Sequence, residues 1–249
     1  MSGITVSGIT PRLRIFAGPN GSGKSTINAV IRPELLGVYV NPDEIEKTIR
    51  ERGDFLDLAS YGVDTSAAEI LTFFQQSTLL AKADLLDEAD ALRFNDNKLS
   101  FFEVSMNAYF ASVAADFIRQ KLLETRVSFT FETVMSSPDK VAFLQKAQQH
   151  GYRTYLYYVA TEDPDINISR VRYRVKMGGH PVPVDKIVSR YFRSLGLLKE
   201  AIRYSNRAYI FDNSGQQQVF VAEITDGHAL EIKTERLPNW FKHAVMDNI

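Results

Sequence analysis

Short runs of apolar and β-branched residues alternate along this chain with longer stretches whose apolar positions recur every three to four residues. That alternation predicts parallel strands joined by helices. Leu13-Arg14-Ile15-Phe16-Ala17 predicts a first strand, residues 18–23 a tight glycine turn, and residues 24–31 a helix stopped ahead of Pro33. Residues 38–41 predict a second strand, and Pro42-Asp43-Glu44 opens a helix after it. Residues 127–131 alternate as a strand does, and Ser136-Ser137-Pro138 starts a helix that reaches His150 and stops at Gly151. Residues 152–160 are almost uniformly apolar or aromatic, which suits the middle of a buried sheet. A further strand is expected over 208–211, and a terminal β-hairpin over 218–225 and 229–234, turning at Asp226-Gly227.

Between residues 54 and 126 the pattern changes to a long helix over 67–86, a hairpin over 92–102 around Asn95-Asp96-Asn97, and a second helix over 108–124. The expected architecture is therefore α/β: a single domain over 1–249, its parallel sheet flanked by helices. A helix-hairpin-helix insertion at 54–126 sits on one rim, and a C-terminal β-hairpin closes the chain.

Composition narrows this only a little. With 249 residues, 45% hydrophobic and 24% charged, the chain is of ordinary globular make-up, and its net charge of −1 gives no global field toward nucleic acid or anionic membrane. It has no cysteine, hence neither disulfides nor a thiolate metal site. Residues 1–10 lack a basic and an apolar region of the secretory kind, and no apolar run approaches a membrane-spanning length, so a cytoplasmic location is expected. Locally the charge is uneven. Residues 169–193 hold seven basic side chains and one acidic, whereas residues 54–100 hold nine acidic and three basic. The positive stretch is where an anionic ligand is expected.

Four groups of residues carry candidate chemistry. The first is Gly18-Pro19-Asn20-Gly21-Ser22-Gly23-Lys24-Ser25, a glycine-rich phosphate loop between a predicted strand and a predicted helix. Glycines let backbone N–H groups turn inward around a polyphosphate, and the helix beginning at Gly23 adds its positive end. Lys24 can reach the β- and γ-phosphates, the Ser25 hydroxyl can ligate Mg²⁺, and Thr26 is placed for a more proximal phosphate. ATP and Mg²⁺ are the expected cofactors, and the expected fold is that of P-loop NTPases of the nucleotide-kinase kind. The second group is Asn41-Pro42-Asp43-Glu44: a carboxylate at the end of the second strand, Asp43, is positioned to accept the proton of an attacking hydroxyl. The same spacing also suits an Asp that only caps a helix. The third is Phe131-Glu132-Thr133, at the strand edge where open α/β sheets bind ligands, with the Glu132 carboxylate toward a substrate hydroxyl or water-bridged Mg²⁺.

The fourth group lies in residues 163–195. Arg170 and Arg174 are four apart on one helical face and can clamp a transferring phosphoryl group, while Gly178-Gly179 ends the helix ahead of Pro181 and Pro183. This reads as a lid that closes over the nucleotide. Asp212-Asn213-Ser214, after the last parallel strand, is expected beside the adenine or as a plain turn. His150, His228 and His243 show no metal spacing and read as structural.

Together these residues resemble the zeta-toxin family of P-loop kinases. The resemblance runs through residues 18–26, Asn41-Pro42-Asp43-Glu44-Ile45, Phe131-Glu132-Thr133-Val134 and Gly151-Tyr152. It continues in Arg170-Val171, Arg174-Val175, Gly178-Gly179-His180, Val182-Pro183, Arg190-Tyr191 and Asp212-Asn213-Ser214. It implies a kinase that phosphorylates the 3′-hydroxyl of the amino sugar in UDP-N-acetylglucosamine and is held in check by an antitoxin. It also implies Asp43 as general base, Lys24 on the phosphates, Glu132 and Thr133 near the substrate, and Arg170 as a phosphate-clamping lid residue. The family's second catalytic arginine falls near His180 in this chain, and Arg174 is its replacement. The insertion with its Glu103 departs from the family pattern where an acceptor would be gripped.

The leading expectation is an ATP- and Mg²⁺-dependent small-molecule kinase with a hydroxyl acceptor, in its narrowest form a UDP-N-acetylamino sugar. An ATP-dependent switch acting through a protein partner is the alternative. A nucleic-acid end kinase is third, disfavoured by the acidic stretch at 54–100.

Overall fold

The computed structural model describes residues 10–28 and 31–247. The expectation that residues 1–10 carry no leader, and the end of the helix expected over 24–31, fall largely on residues outside that description. From the start, β1 (Arg12–Ala17) leads into a short α1 (Ser25–Asn28). Then follow β2 (Val38–Val40), α2 (Pro42–Glu51), β3 (Phe55–Asp57), α3 (Ala67–Gln75), α4 (Thr78–Lys82), α5 (Leu86–Ala89), β4 (Arg93–Asn95), β5 (Lys98–Ser100) and α6 (Ala108–Glu124). The second half holds β6 (Phe129–Thr133), α7 (Asp139–Gln149), β7 (Arg153–Ala160), α8 (Pro164–Lys176) and α9 (Val184–Arg203). It ends in β8 (Arg207–Asp212), β9 (Val219–Thr225), β10 (Ala229–Ile232) and α10 (Asn239–Phe241). The residues divide into two compact units, Met1–Leu35 with Glu132–Ile249, and Leu36–Phe131. No helix among the described residues is long and apolar enough to cross a membrane.

In the first unit β1 pairs parallel with β7 and β7 with β8, while β9 and β10 add the expected antiparallel hairpin at the edge. Leu156, Tyr158 and Ile210 are fully buried. The Tyr158 hydroxyl meets Ser194 Oγ of α9 at 2.9 Å, and Ser194 donates onward to the Val134 carbonyl at 2.8 Å. The adjacent strand positions carry an aromatic row, with Phe16 edge-on to Tyr157 at 5.4 Å and Tyr157 stacked on Tyr209 at 4.9 Å. Because the strands are parallel, Ala17, Ala160 and Asp212 all end at the same edge, and the loops that follow them converge there. Trp240 pins the chain end to this edge by donating its indole N–H to Asp212 at 2.7 Å.

In the second unit β2 pairs parallel with β6, and β3, β5 and β4 form a separate small antiparallel sheet. Helix α6 spans the residues expected of it. The single helix expected over 67–86 is instead broken into α3, α4 and α5. Ser77 caps a new start by accepting from the Leu80 N–H at 3.3 Å, and Asp84 adopts a positive φ of 58° that no α-helix continues through. The expected hairpin is present, its Asp96 and Asn97 at φ 49° and 58°, but β3 adds a third strand to it. A core of Phe74, Phe101 and Phe110, with ring centroids 6.1–6.4 Å apart, ties α3 and α6 to this sheet. Strand β6 begins at Phe129 rather than Val127. The Val127 N–H still closes α6 onto the Leu122 carbonyl at 3.1 Å, across Arg126 at φ 57°.

Candidate functional site: a phosphate loop held by two asparagines

Buried strand β1 delivers the chain to Gly18 at the edge where β1, β7 and β8 end, and there it turns back with Ser22 N–H donating to the Pro19 carbonyl at 3.2 Å. Two glycines are demanded by what lies against them. Gly21 has φ 77°, and a Cβ there would sit 2.6 Å from the Asn167 backbone oxygen. Gly23 has φ 94°, and a Cβ there would run into the Asn213 side-chain amide. Both asparagines also hold the loop through hydrogen bonds. Asn167 Nδ2 donates to the Asn20 carbonyl at 2.6 Å, and Asn213 Nδ2 to the Ser22 carbonyl at 2.7 Å. Lys24 Nζ lies across the loop, donating to the carbonyls of Gly18 at 2.8 Å and Pro19 at 3.1 Å. Ser25 is exposed at the start of α1, whereas the Thr26 hydroxyl is engaged with the Gly23 carbonyl at 2.6 Å.

Helix α8 brings the basic segment to this loop. Asp163 caps it by accepting from the Asp165 N–H at 2.7 Å, and Pro164 occupies the first turn, where a missing N–H is harmless. Asn167 in the next turn is fully buried, and Arg170, three residues on, donates through Nη2 to the Gly215 carbonyl at 3.3 Å. Ile168 and Val171 pack on Ile187 of α9. Arg174 is exposed and folds back on the helix end, donating to the His180 carbonyl at 3.2 Å. Of the two lid arginines, Arg170 is therefore the one anchored beside the loop that follows Asn213. In α9 the Tyr191 hydroxyl donates to the Thr161 carbonyl at 2.7 Å. Burial, with Glu162, Asp163 and Asp212 nearby, pushes this phenol far above its ordinary value.

Three buried polar atoms near the loop have no hydrogen-bond partner among the described residues: Asn20 Oδ1, Ser22 Oγ and Arg170 Nη1. An unsatisfied buried donor is costly, and most of all on a charged group. The backbone cradle, Lys24 and the orphaned Arg170 nitrogen fit a polyphosphate.

The remaining candidates lie on other elements. Asn41 caps α2 through its side chain, accepting from the Asp43 N–H at 2.9 Å, so the cap does not need the Asp43 carboxylate, which is exposed in the second unit. Glu103, also in the second unit, pairs with Arg93 at 3.7 Å. Glu132 lies half-buried near the end of β6, as expected, and the Thr133 hydroxyl accepts from the Met135 N–H at 3.0 Å. Among the described residues no group of three His, Cys, Asp or Glu is placed to hold a metal ion. Asn167 and Thr161 are participants to which motif reading gave no role, and Tyr191 entered it only through the resemblance. Asn167 and Tyr191 are polar residues at buried helix positions, and Thr161 is a buried polar residue in the turn between β7 and α8.

The model of the Zeta toxin family matches residues 104–224, a span that includes Glu132, Arg170, Arg174 and Asn213 and begins after the phosphate loop and Asp43. An uncharacterized protein of Haemophilus influenzae is 28% identical over 69 residues, which is 28% of this chain and 49% of that protein. Among solved structures, the AvrRxo1-ORF1:AvrRxo1-ORF2 complex with sulphate ions aligns at TM-score 0.56 and 15% identity, covering 96% of this chain and 65% of that one. The complex with ATP aligns at TM-score 0.54 and 15% identity, over 91% and 61%. A chain of the PezAT toxin-antitoxin system of Streptococcus pneumoniae aligns at TM-score 0.50 and 16% identity, over 96% and 84%. The chain thus spans less than two thirds of the AvrRxo1 chains and about half of its Haemophilus relative. It is similar to the zeta toxin family over residues 104–224, and it shares an α/β fold with the AvrRxo1 and PezAT chains.

Proposed function

We propose that this protein is an ATP-dependent phosphotransferase that moves the γ-phosphate onto a hydroxyl of a small molecule. The observation that carries this reading is the phosphate loop itself: glycines at positive φ pressed against Asn167 and Asn213, with Lys24 laid across the loop and a buried, unsatisfied Arg170 nitrogen beside it. A loop held this tightly keeps its N–H groups oriented without reorganisation when an anion arrives. One of the AvrRxo1 structures of similar fold was solved with ATP, which supports ATP as the donor here.

In this reading Lys24 exchanges its two carbonyl partners for β- and γ-phosphate oxygens, and Arg170 turns Nη1 to the transferring group. Asp43 accepts the proton as the acceptor oxygen attacks phosphorus, and the bond to the β-phosphate oxygen breaks to release ADP. Mg²⁺, when bound with ATP, would neutralise charge on the phosphates; Ser25 would be the protein ligand and the phosphates and water would supply the rest. Arg174 joins only if it leaves the His180 carbonyl. Glu132 lines the acceptor, with Thr133 and Glu103 contributing from their present hydrogen bond and ion pair. The zeta-toxin similarity supports a UDP-N-acetylamino sugar as acceptor and an antitoxin as partner, in a cytoplasmic setting.

The test is incubation with ATP and Mg²⁺ and a panel of nucleotide sugars, nucleosides and cofactors, read by mass spectrometry for the gain of one phosphoryl group. A phosphorylated nucleotide sugar is the expected product. ADP formation with no phosphorylated acceptor would overturn the kinase reading in favour of a hydrolytic switch.

A further inference from the structure

Asn167 is fully buried, sits on α8 and reaches across to a loop 147 residues earlier in the chain. Its two polar ends have different partners. The Asn20 backbone oxygen only accepts, so the amide nitrogen must face it at 2.6 Å. The Oδ1 end then faces Thr161, whose hydroxyl donates to it. Thr161 is itself fully buried, and its backbone oxygen receives the Tyr191 hydroxyl from α9. A continuous chain of hydrogen bonds, buried as far as Asn167 and half-buried at the loop, therefore runs from α9 through Thr161 and α8 to the peptide between Asn20 and Gly21. On the far side of that peptide, Gly21 is pressed against the Asn167 backbone.

This goes beyond tertiary packing. The Asn20–Gly21 peptide is part of the loop whose N–H groups would face the phosphates, and its orientation is set by the one amide bonded to its carbonyl. Arg170 stands on the same helix, one turn along. Any shift of α8 thus moves the loop peptide and the arginine together. Resting on the reading of this loop as an ATP site, we infer that Asn167 is a positioning residue. It fixes the phosphate loop from the lid helix, and Thr161 selects the amide orientation that lets it do so.

The inference predicts nucleotide affinity that depends on a hydroxyl with no access to nucleotide. Thr161→Val keeps the shape of the side chain but cannot donate to Asn167 Oδ1, leaving the amide free to turn. The dissociation constant for ADP, measured calorimetrically with Mg²⁺ on the full chain, should rise about tenfold. Thr161→Ser, which restores the donor, should stay within about twofold of the parent. Asn167→Ala should weaken binding about ten- to a hundredfold, and Asn167→Asp at least as much, because a carboxylate facing the Asn20 carbonyl cannot donate. As a control, Tyr158→Phe removes a buried hydrogen bond of the same unit, to Ser194 Oγ, in which no loop atom takes part. It should lower Tm and leave ADP affinity unchanged, separating positioning from general stability. If the parent binds ADP and Thr161→Val binds it equally well, the inference is wrong while the ATP-site reading stands. A parent that binds neither ADP nor ATP overturns both. Should Asn167→Ala fail to fold, the Val and Ser pair at 161 decides alone.

Discussion

Lys24 donates to two carbonyls of its own loop, those of Gly18 and Pro19. An ammonium held this way is already desolvated in part and oriented across the loop, so its transfer to phosphate oxygens needs little rearrangement. Lys24→Ala should abolish phosphoryl transfer and weaken ATP binding together, measured by turnover and by calorimetry. Asp43 should separate the two. Its carboxylate caps nothing, so Asp43→Ala should remove transfer by a factor of about 10² to 10⁴ while ATP affinity stays near parental. Unchanged turnover would exclude it as the base. Arg170 and Arg174 looked equivalent by spacing but differ in setting: one has a buried, unpaired nitrogen and the other is exposed on the turn at His180. Arg170→Ala should therefore lower kcat more than it raises KM for ATP, and Arg174→Ala should do less to kcat. An effect of Arg170→Ala confined to KM would make it a ground-state binder.

Secondary elements matter here for where they place their first turns. Helix α8 begins at a capped Asp163-Pro164 pair, and that start sets the phase by which Asn167 meets the Asn20 carbonyl, Arg170 meets the Gly215 carbonyl, and Ile168 and Val171 pack on Ile187. Such a start is legible in residue types alone, because Asp and Pro have known roles at helix beginnings. The break of the helix expected over 67–86 was far less legible. Its apolar periodicity continues through residues 76–85, and only packing distinguishes one helix from three. Helix α6 depends on a different cap: Asn107 accepts from the N–H groups of Tyr109 at 2.9 Å and Phe110 at 3.3 Å. Asn107→Ala should cost about 1 kcal/mol and lower Tm by about 2–4 °C, read by thermal unfolding, with ADP affinity unaltered. A Tm within 1 °C of the parent would show that tertiary packing, not the cap, holds that end (a drop of less than roughly half a kcal/mol by the same scaling).

For the molecule as a whole, buried tyrosines make stability depend on alkaline pH. Tyr157 is pushed up to about 12 by burial and by neighbouring Tyr209, and burial raises Tyr158 and Tyr191 further still. A raised folded-state pKa means that the folded chain holds its proton where the unfolded chain, titrating near the usual 10, releases it. The stabilisation is complete below about pH 10 and is lost as pH climbs toward 12 and beyond. Tm should therefore fall steadily from pH 10 upward, and Tyr158→Phe should flatten that fall while lowering Tm at neutral pH. A flat profile between pH 10 and 12 would contradict the burial of these phenols.

What the sequence determined by itself is the chemistry that local pattern dictates. Alternating strands and helices, glycines where a loop must reach positive φ, Lys24 and Ser25 at fixed offsets in it, and the helix starts at Asn41-Pro42 and Asp163-Pro164 are all short-range consequences of sterics and hydrogen bonding. Tertiary structure alone decided which of several plausible polar residues act on that loop. Asn167 and Asn213 lie far from it along the chain and reach it only because parallel strands end at a common edge. Arg170 and Arg174 separate only because one meets Gly215 and the other meets His180. The physical reason is the same in each case: partner choice between distant residues is set by the register of the sheet and the phase of packed helices, and no local propensity encodes either.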